Sequence, residues 1–255
     1  MEKSKLINFI SKYSLGGLVQ SVAWNSNGDL ATKFISDDKC VVGEIKLNNF
    51  NNDKSKFGVY NTDLLIKLLG VLGNTINLQI NAVDDKAFSL TFDDNSTTVN
   101  YMLADLAVIP PAPELKELPT FDLEIPITKE FIDKFIKAKS ALPSIEKFTI
   151  AKNRKTGKYE IIIGYANTNS NRISIGIDCT ATEDIDPISF SAKYFNGILA
   201  ANKDLNGGSL KVSSQGLAKV EFDIDDFEAK YYLVKLENDW WKNIFMVRMK
   251  YYRGH

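Results

Sequence analysis

Side chains that make and break bonds are scarce in this chain of 255 residues. The one histidine, His255, is the last residue, which removes a histidine-based triad, a histidine general base and a histidine-rich metal site. Cys40 and Cys179 lie far apart in strand-like runs and read as buried free thiols, which favours a reducing compartment. There is no glycine-rich phosphate loop, no paired-cysteine metal spacing and no carboxylate pair in an evident cleft. An enzyme is therefore not expected, nor a cofactor. Charge is what remains. A formal net charge of −1 argues against coating nucleic acid through bulk positive charge, but leaves room for a basic patch balanced by acids elsewhere.

The elements that must position such a patch follow from periodicity. Lys3–Tyr13 is an expected amphipathic helix, with Leu6, Phe9, Ile10 and Tyr13 on one side and Lys5, Asn8 and Lys12 on the other. Gly16-Gly17 stops it. Strands are expected at Leu18–Trp24, Leu30–Ile35 and Cys40–Leu47, then a short one ending at Tyr60. Asn61 or Thr62 caps a second helix, Asp63–Leu72, and three more strands follow at Thr75–Val83, Ala87–Phe92 and Thr97–Leu103. No apolar run approaches a membrane span, and the N-terminus lacks a signal-peptide core, so a cytosolic protein is expected.

Leu106–Pro126 holds five of the seven prolines, each fixing φ and withholding a backbone donor. An extended strap is expected, with no helix and no central strand. Beyond it the order repeats: a helix at Lys129–Ser140 capped by Thr128, strands at Lys147–Lys152, Tyr159–Ala166 and Arg172–Cys179, a short strand Ile188–Phe190, a helix Ala192–Asn202, and strands Ser209–Ser213, Ala218–Ile224 and Ala229–Leu236. Phe131 to Lys137 echoes Leu6 to Lys12, and Tyr194, Phe195, Ile198 and Leu199 take the places of Leu64, Leu65, Leu68 and Leu69. The offset stays at about 125–130 residues, within loop tolerance. The fold class is α+β, two copies of one module with helices on antiparallel sheets. The expected division is a first module 1–105, a connector 106–126, a second module 127–238 and a tail 239–255.

The duplicated module, the proline-rich connector and the length resemble the DNA sliding clamps, the polymerase processivity factors of the proliferating cell nuclear antigen and T4-type bacteriophage kind. Ala229-Lys-Tyr-Tyr-Leu-Val-Lys-Leu-Glu237 resembles the last strand of the cellular clamp, and Val59-Tyr60 followed by Asp63-Leu-Leu-Ile-Lys-Leu-Leu69 is similar to the helix entry of the phage clamps. The resemblance implies a head-to-tail homotrimer of six modules, its helices lining a hole wide enough for duplex DNA. Implied partners are double-stranded DNA, held without sequence preference, and a DNA polymerase and clamp loader docking short peptides. A bacteriophage or other virus, acting in the host cytoplasm, is the source the resemblance suggests.

Residue by residue, the helices would offer phosphates Lys5, Lys12, Lys67, Lys134, Lys137, Lys193 and Lys203. The client pocket would be bounded by Ile35, Tyr232 and Val234, with Leu106, Val108 and Ile109 on the strap side. Trp240–His255 carries Lys242, Arg248, Lys250 and Arg253 without an acid. It reads as an extra edge strand, a fused appendage, or a basic aromatic tail that touches DNA or plugs a pocket. The competing readings of the whole are a charge-bound processivity factor of the same fold that forms no ring, and a duplicated β-rich structural or virion protein.

Overall fold

The computed structural model describes residues 1–52, 54–84, 86–115, 117–165 and 171–236. The expected tail 239–255 lies outside the described residues. Among them no helix is long and apolar enough to cross a membrane. The first module runs α1 (Lys3–Ser14), β1 (Val22–Asn27), β2 (Asp29–Ile35), β3 (Val41–Leu47), β4 (Ser55–Val59), α2 (Thr62–Leu69), β5 (Asn77–Val83), β6 (Lys86–Asp93) and β7 (Thr98–Met102). A single 3-10 turn (Leu106–Val108) and β8 (Leu123–Pro126) belong to the connecting stretch. The second module runs α3 (Lys129–Ala141), β9 (Lys147–Lys152), β10 (Tyr159–Ile163), β11 (Ile173–Gly176), β12 (Thr180–Ala181), β13 (Ile188–Ser191), α4 (Ala192–Ala201), β14 (Gly207–Val212), β15 (Leu217–Ile224) and β16 (Phe227–Val234).

Local chemistry explains the helix ends. Asn61 Oδ1 accepts from Leu64 N at 2.9 Å, and Thr128 Oγ1 accepts from Phe131 N at 3.1 Å, each satisfying a donor that the first helical turn leaves free. α1 ends as Leu15, Gly16 and Gly17 all turn left-handed, a run that two glycines make cheap. The strands alternate as half-buried strands should; β1 reads buried at Val22, Trp24 and Ser26 and more open between.

Three sheets result. Nine strands form the largest, in the order β12-β8-β14-β15-β16-β3-β2-β1-β4; β11-β10-β9-β13 and β5-β6-β7 form the others. The nine-stranded sheet crosses from one module to the other at β16·β3, an antiparallel join running from Phe227 opposite Leu47 to Leu233 opposite Val41. The helices cover one face, packed side by side as α2, α1, α4, α3. Each module has its own aromatic cluster under them. Trp24 sits edge-on to Phe9 at 5.4 Å in the first, and Phe148 stacks on Phe195 at 4.8 Å in the second.

Two expectations need correction. The strap is not free of sheet, because β8 lies inside it and pairs with β14 and β12. Its alternation buries Leu123 and Ile125, and only Pro126, at its last position, lacks a donor. The helix echo is also one residue out. The caps Glu2 and Thr128 put Lys3 on Lys129, so Lys12 falls on Ala138 and not on Lys137. One residue is about 100° of helix, enough to move a side chain from solvent to core.

Candidate nucleic-acid interface

The face of the helix layer turned away from the sheets is where the charge collects. α1 to α4 carry nine lysines and three acids, so a chain of net charge −1 divides into helices at +6 and a remainder at −7. At the centre of the layer a cavity of about 650 Å³ opens where the turn after α1 meets α4 and the end of α3. Ser11, Lys139, Ser140, Lys193 and Asn196 are among its lining residues.

The lysines named from sequence do not share one fate. Lys67, Lys134, Lys137, Lys193 and Lys203 are exposed. Lys134 pairs with Glu130 one turn back at 2.8 Å, and Lys203 stands 3.9 Å from Asp133, pairs in open water that contribute little and exchange readily. Lys193 lies over the ring of Tyr194 at 5.3 Å. Lys5 is tied to Asp226 at 2.7 Å, and that hydrogen bond raises its pKa above the ordinary lysine value. Lys129 and Lys139 belong to the same layer and were not in the set. Both stand at helix ends, where a search for a basic stripe in the middle of a face passes over them.

Lys12 is the correction. Its side chain is fully buried, with Nζ 2.8 and 3.1 Å from the two carboxylate oxygens of Asp204. Nζ also donates to Ala201 O at 3.2 Å and lies 4.8 Å from the Phe227 ring centre. Burial lowers its pKa, and Asp204 pulls the other way. A lysine so enclosed reaches no phosphate. It sits where the modules meet, beside Tyr231, whose hydroxyl donates to Lys12 O at 2.8 Å and accepts from Asn202 Nδ2 at 2.9 Å.

On the opposite face of the nine-stranded sheet, Ile35, Val42 and Tyr232 stand in one cross-strand row over β2, β3 and β16. Tyr231 faces the helices, so Tyr232 faces away from them; Val234 shares its parity. Burial pushes the Tyr232 phenol up to about 12, with Glu44 and Glu221 adding to it, so it is neutral at ordinary pH. The strap residues expected beside it are elsewhere. Ile109 is buried against β4, where a Cβ added at Gly58 would come 3.0 Å from its Cγ1. β4 is four strands from β16, roughly 19 Å away. Leu106 and Val108 are exposed at that same end.

The strap's route follows from its ends. It leaves β4 at Ile109 and rejoins the sheet at Asp122, whose N–H donates to Val212 O on β14. That is roughly 30 Å of sheet for a segment whose full reach is about 43 Å. With helices on the other face, the face that carries Tyr232 is the one open to the strap. Ala112, Pro113, Leu115, Pro119 and Phe121 are its half-buried residues.

Nothing described gathers a bond-making set. Among the described residues no group of three or more His, Cys, Asp or Glu could hold a metal ion. Cys40 and Cys179 are free and half-buried, more open than expected, and burial with the Asp38 charge pushes the Cys40 thiol up to about 11.

The architecture has solved counterparts. The crystal structure of Proliferating Cellular Nuclear Antigen from Entamoeba histolytica matches 92% of this chain and 96% of its own, with a TM-score of 0.68 at 19% sequence identity. At that identity the likeness establishes the fold, that of the sliding clamps in two pseudo-repeated modules. No protein-family model matches the sequence, and no curated protein matches it by sequence.

Proposed function

We propose that the chain is a sliding clamp: a non-enzymatic protein that closes as a head-to-tail ring of three copies around duplex DNA and tethers a polymerase and other clients. The observation that carries the reading is the join inside the chain. There β3 meets β16 and α1 meets α4. The counterparts of these four elements, β11, β7, α3 and α2, lie at the two ends of the molecule. Among the described residues β11 pairs only with β10 and β7 only with β6. Their residues are correspondingly open. Leu64 is 45% exposed where its counterpart Tyr194 is 4% exposed. Ile10, Tyr13 and Ser14 are buried, whereas Ile136 and Lys139 are half-buried and Ser140 is exposed.

Setting β7 of one copy beside β11 of the next repeats the in-chain join and removes two open edges. Such a contact is heterologous, and it either closes a ring or runs on as a fibre. Likeness to the two-module clamps favours closure at three copies. Lys5, Lys67, Lys134, Lys137, Lys193 and Lys203, with Lys129 and Lys139, would then line the hole and meet phosphates without reading bases. Clients would dock at Ile35, Val42, Tyr232 and Val234, with Leu115 and Leu118 from the middle of the strap in place of Leu106, Val108 and Ile109. The site of action would be wherever the DNA is copied, the cytoplasm in a phage-infected cell.

The test is retention on DNA. After loading by a clamp loader and ATP, the protein should stay on nicked circular DNA and be lost rapidly when the circle is linearised. Light scattering should give three times the 28.6 kDa chain mass. Equal retention on both forms, falling with salt alone, would replace the ring by a charge-bound monomer.

A further inference from the structure

The two modules finish their sheets differently. β14 has β15 on one side and β8 on the other, with Leu210 opposite Ile125 and Val212 opposite Leu123. Among the described residues its counterpart, β5, pairs with β6 alone. The registers of the two strands align. Met1 donates its ammonium to Ile76 O at 2.7 Å, just as Ile127 N donates to Gly208 O at 2.8 Å. Residues 77–80 therefore stand where β14 carries residues 209–212, the stretch that β8 covers. Past the bridge of Glu2 to Thr75, no described strand borders that edge of β5. Leu78 and Ile80 are half-buried, whereas Leu210 and Val212 are fully buried. An edge of this kind is a template for one more strand.

The repeat also names the occupant. After β7, Ala104 N donates to Gly58 O on β4, and the strap that follows ends as β8 beside β14. After β16, Leu236 N donates to Ser189 O on β13, the counterpart of β4. Residues 237–255 thus begin where a second strap would begin. In a head-to-tail ring the sheet beyond them is β13-β9-β10-β11 of one copy followed by β7-β6-β5 of the next. That order repeats β4-β1-β2-β3 followed by β16-β15-β14 inside the chain. We infer that residues 237–255 of one copy cross the seam and pair, antiparallel, with the open edge of β5 in the next copy. This rests on the head-to-tail reading proposed above.

Length, pattern and charge agree. Seven strand spacings, roughly 34 Å, separate β13 from the outer side of the next copy's β5. Extended chain from Leu236 to Met249 reaches about 43 Å. There Val247, Met249 and Tyr251 alternate with Arg248 and Lys250, as Leu123 and Ile125 alternate with Glu124 in β8. Carrying over the register of β8 on β14 sets Val247 opposite Ile80, Arg248 opposite Gln79 and Met249 opposite Leu78. Residues 77–103 hold four aspartates and one lysine, while residues 240–255 hold two lysines, two arginines and no acid. Main-chain hydrogen bonds supply the hold, and the apolar and charged side chains supply the choice of edge. The added strand latches two copies together beside the β7·β11 pairing, so a seam opens only when its tail lets go.

The test uses full-length chains. Gln79 is exposed, and Gln79→Cys chains are co-expressed with Arg248→Cys chains and treated with a mild oxidant. Disulfide-linked pairs of chains should appear on a denaturing gel in several-fold excess over either chain alone. A chain carrying both substitutions should link to other copies; a bridge closed within one chain would put the tail on its own β5 and overturn the inference. Met249→Pro withdraws the backbone donor that faces Leu78. It should raise the concentration at which the trimer dissociates several-fold, with far-ultraviolet circular dichroism unchanged. If the trimer forms but neither the mixed disulfide nor the Met249→Pro effect is seen, the tail lies elsewhere and the ring stands. If wild type is a monomer at every concentration, the head-to-tail reading falls and takes this inference with it.

Discussion

Lys12 and Lys137 are the same residue type at similar spacing from a helix start, yet one is core and the other surface. No pattern within α1 separates them, because the group that accepts Lys12, Asp204, lies 192 residues further along the chain. Gly43 holds information of the same kind. Phe34 lies flat over it, so an added Cβ would sit 2.2 Å from a ring carbon, and the ring is backed by Tyr231 at 6.4 Å between centroids. The ring cannot retreat without disturbing the Tyr231 hydroxyl that holds the end of α1. Gly43→Ala should therefore destabilise the chain by about 1–3 kcal/mol, the usual range for overpacking a filled core. Urea unfolding measures it, and a change under about 0.5 kcal/mol, the range of an indifferent surface substitution, would mean that Phe34 moves freely.

Elements were far more legible than single contacts. Helix boundaries followed from Asn61, Thr128 and the glycines after α1, since caps are local chemistry written in neighbouring residues. The strand at Leu123–Pro126 was not legible, because proline-rich surroundings masked two alternating apolar residues and its partner β14 arrives some 85 residues later in sequence. The charge of the helix layer was legible as a set, although its membership was not, Lys12 leaving it and Lys129 and Lys139 joining. A layer acts through its sum. Reversing Lys134, Lys137, Lys193 and Lys203 to Glu together removes the net positive charge of the four helices, three reversals within them taking +6 to zero, and it should impair loading onto nicked circular DNA far more than any single reversal does. Each change removes a counterion-release contribution and adds repulsion for phosphate. Trimer mass should not change, because these four side chains are exposed, whereas Ile136, on the side of α3 that corresponds to the in-chain join, is untouched. Loading at the wild-type level would remove the helix layer from the DNA path.

At the scale of the molecule, the proposed seam between copies would repeat the in-chain seam, and it can be broken at one end only. Ile173 begins β11, is half-buried, and has no strand beyond it among the described residues. Its counterpart in the first module lies in β3, which has β16 beside it. Ile173→Asp would carry a charge into the seam wherever a second copy covers β11, and burying an unpaired carboxylate there is costly. In the separate chain the same side chain packs against the core yet is only half-buried on an edge strand, so water can reach the new charge, and the fold should persist, somewhat less stable, with unchanged far-ultraviolet circular dichroism. The variant should therefore run as a folded monomer at concentrations where wild type is a trimer. All the helix lysines remain in it, and that decides between topology and charge. A ring holds DNA by enclosing it, so the monomer should lose retention on nicked circles although its basic layer is intact. If the monomer instead stays on DNA as wild type does, and linear and circular forms hold it equally, charge alone is sufficient and the enclosure model fails.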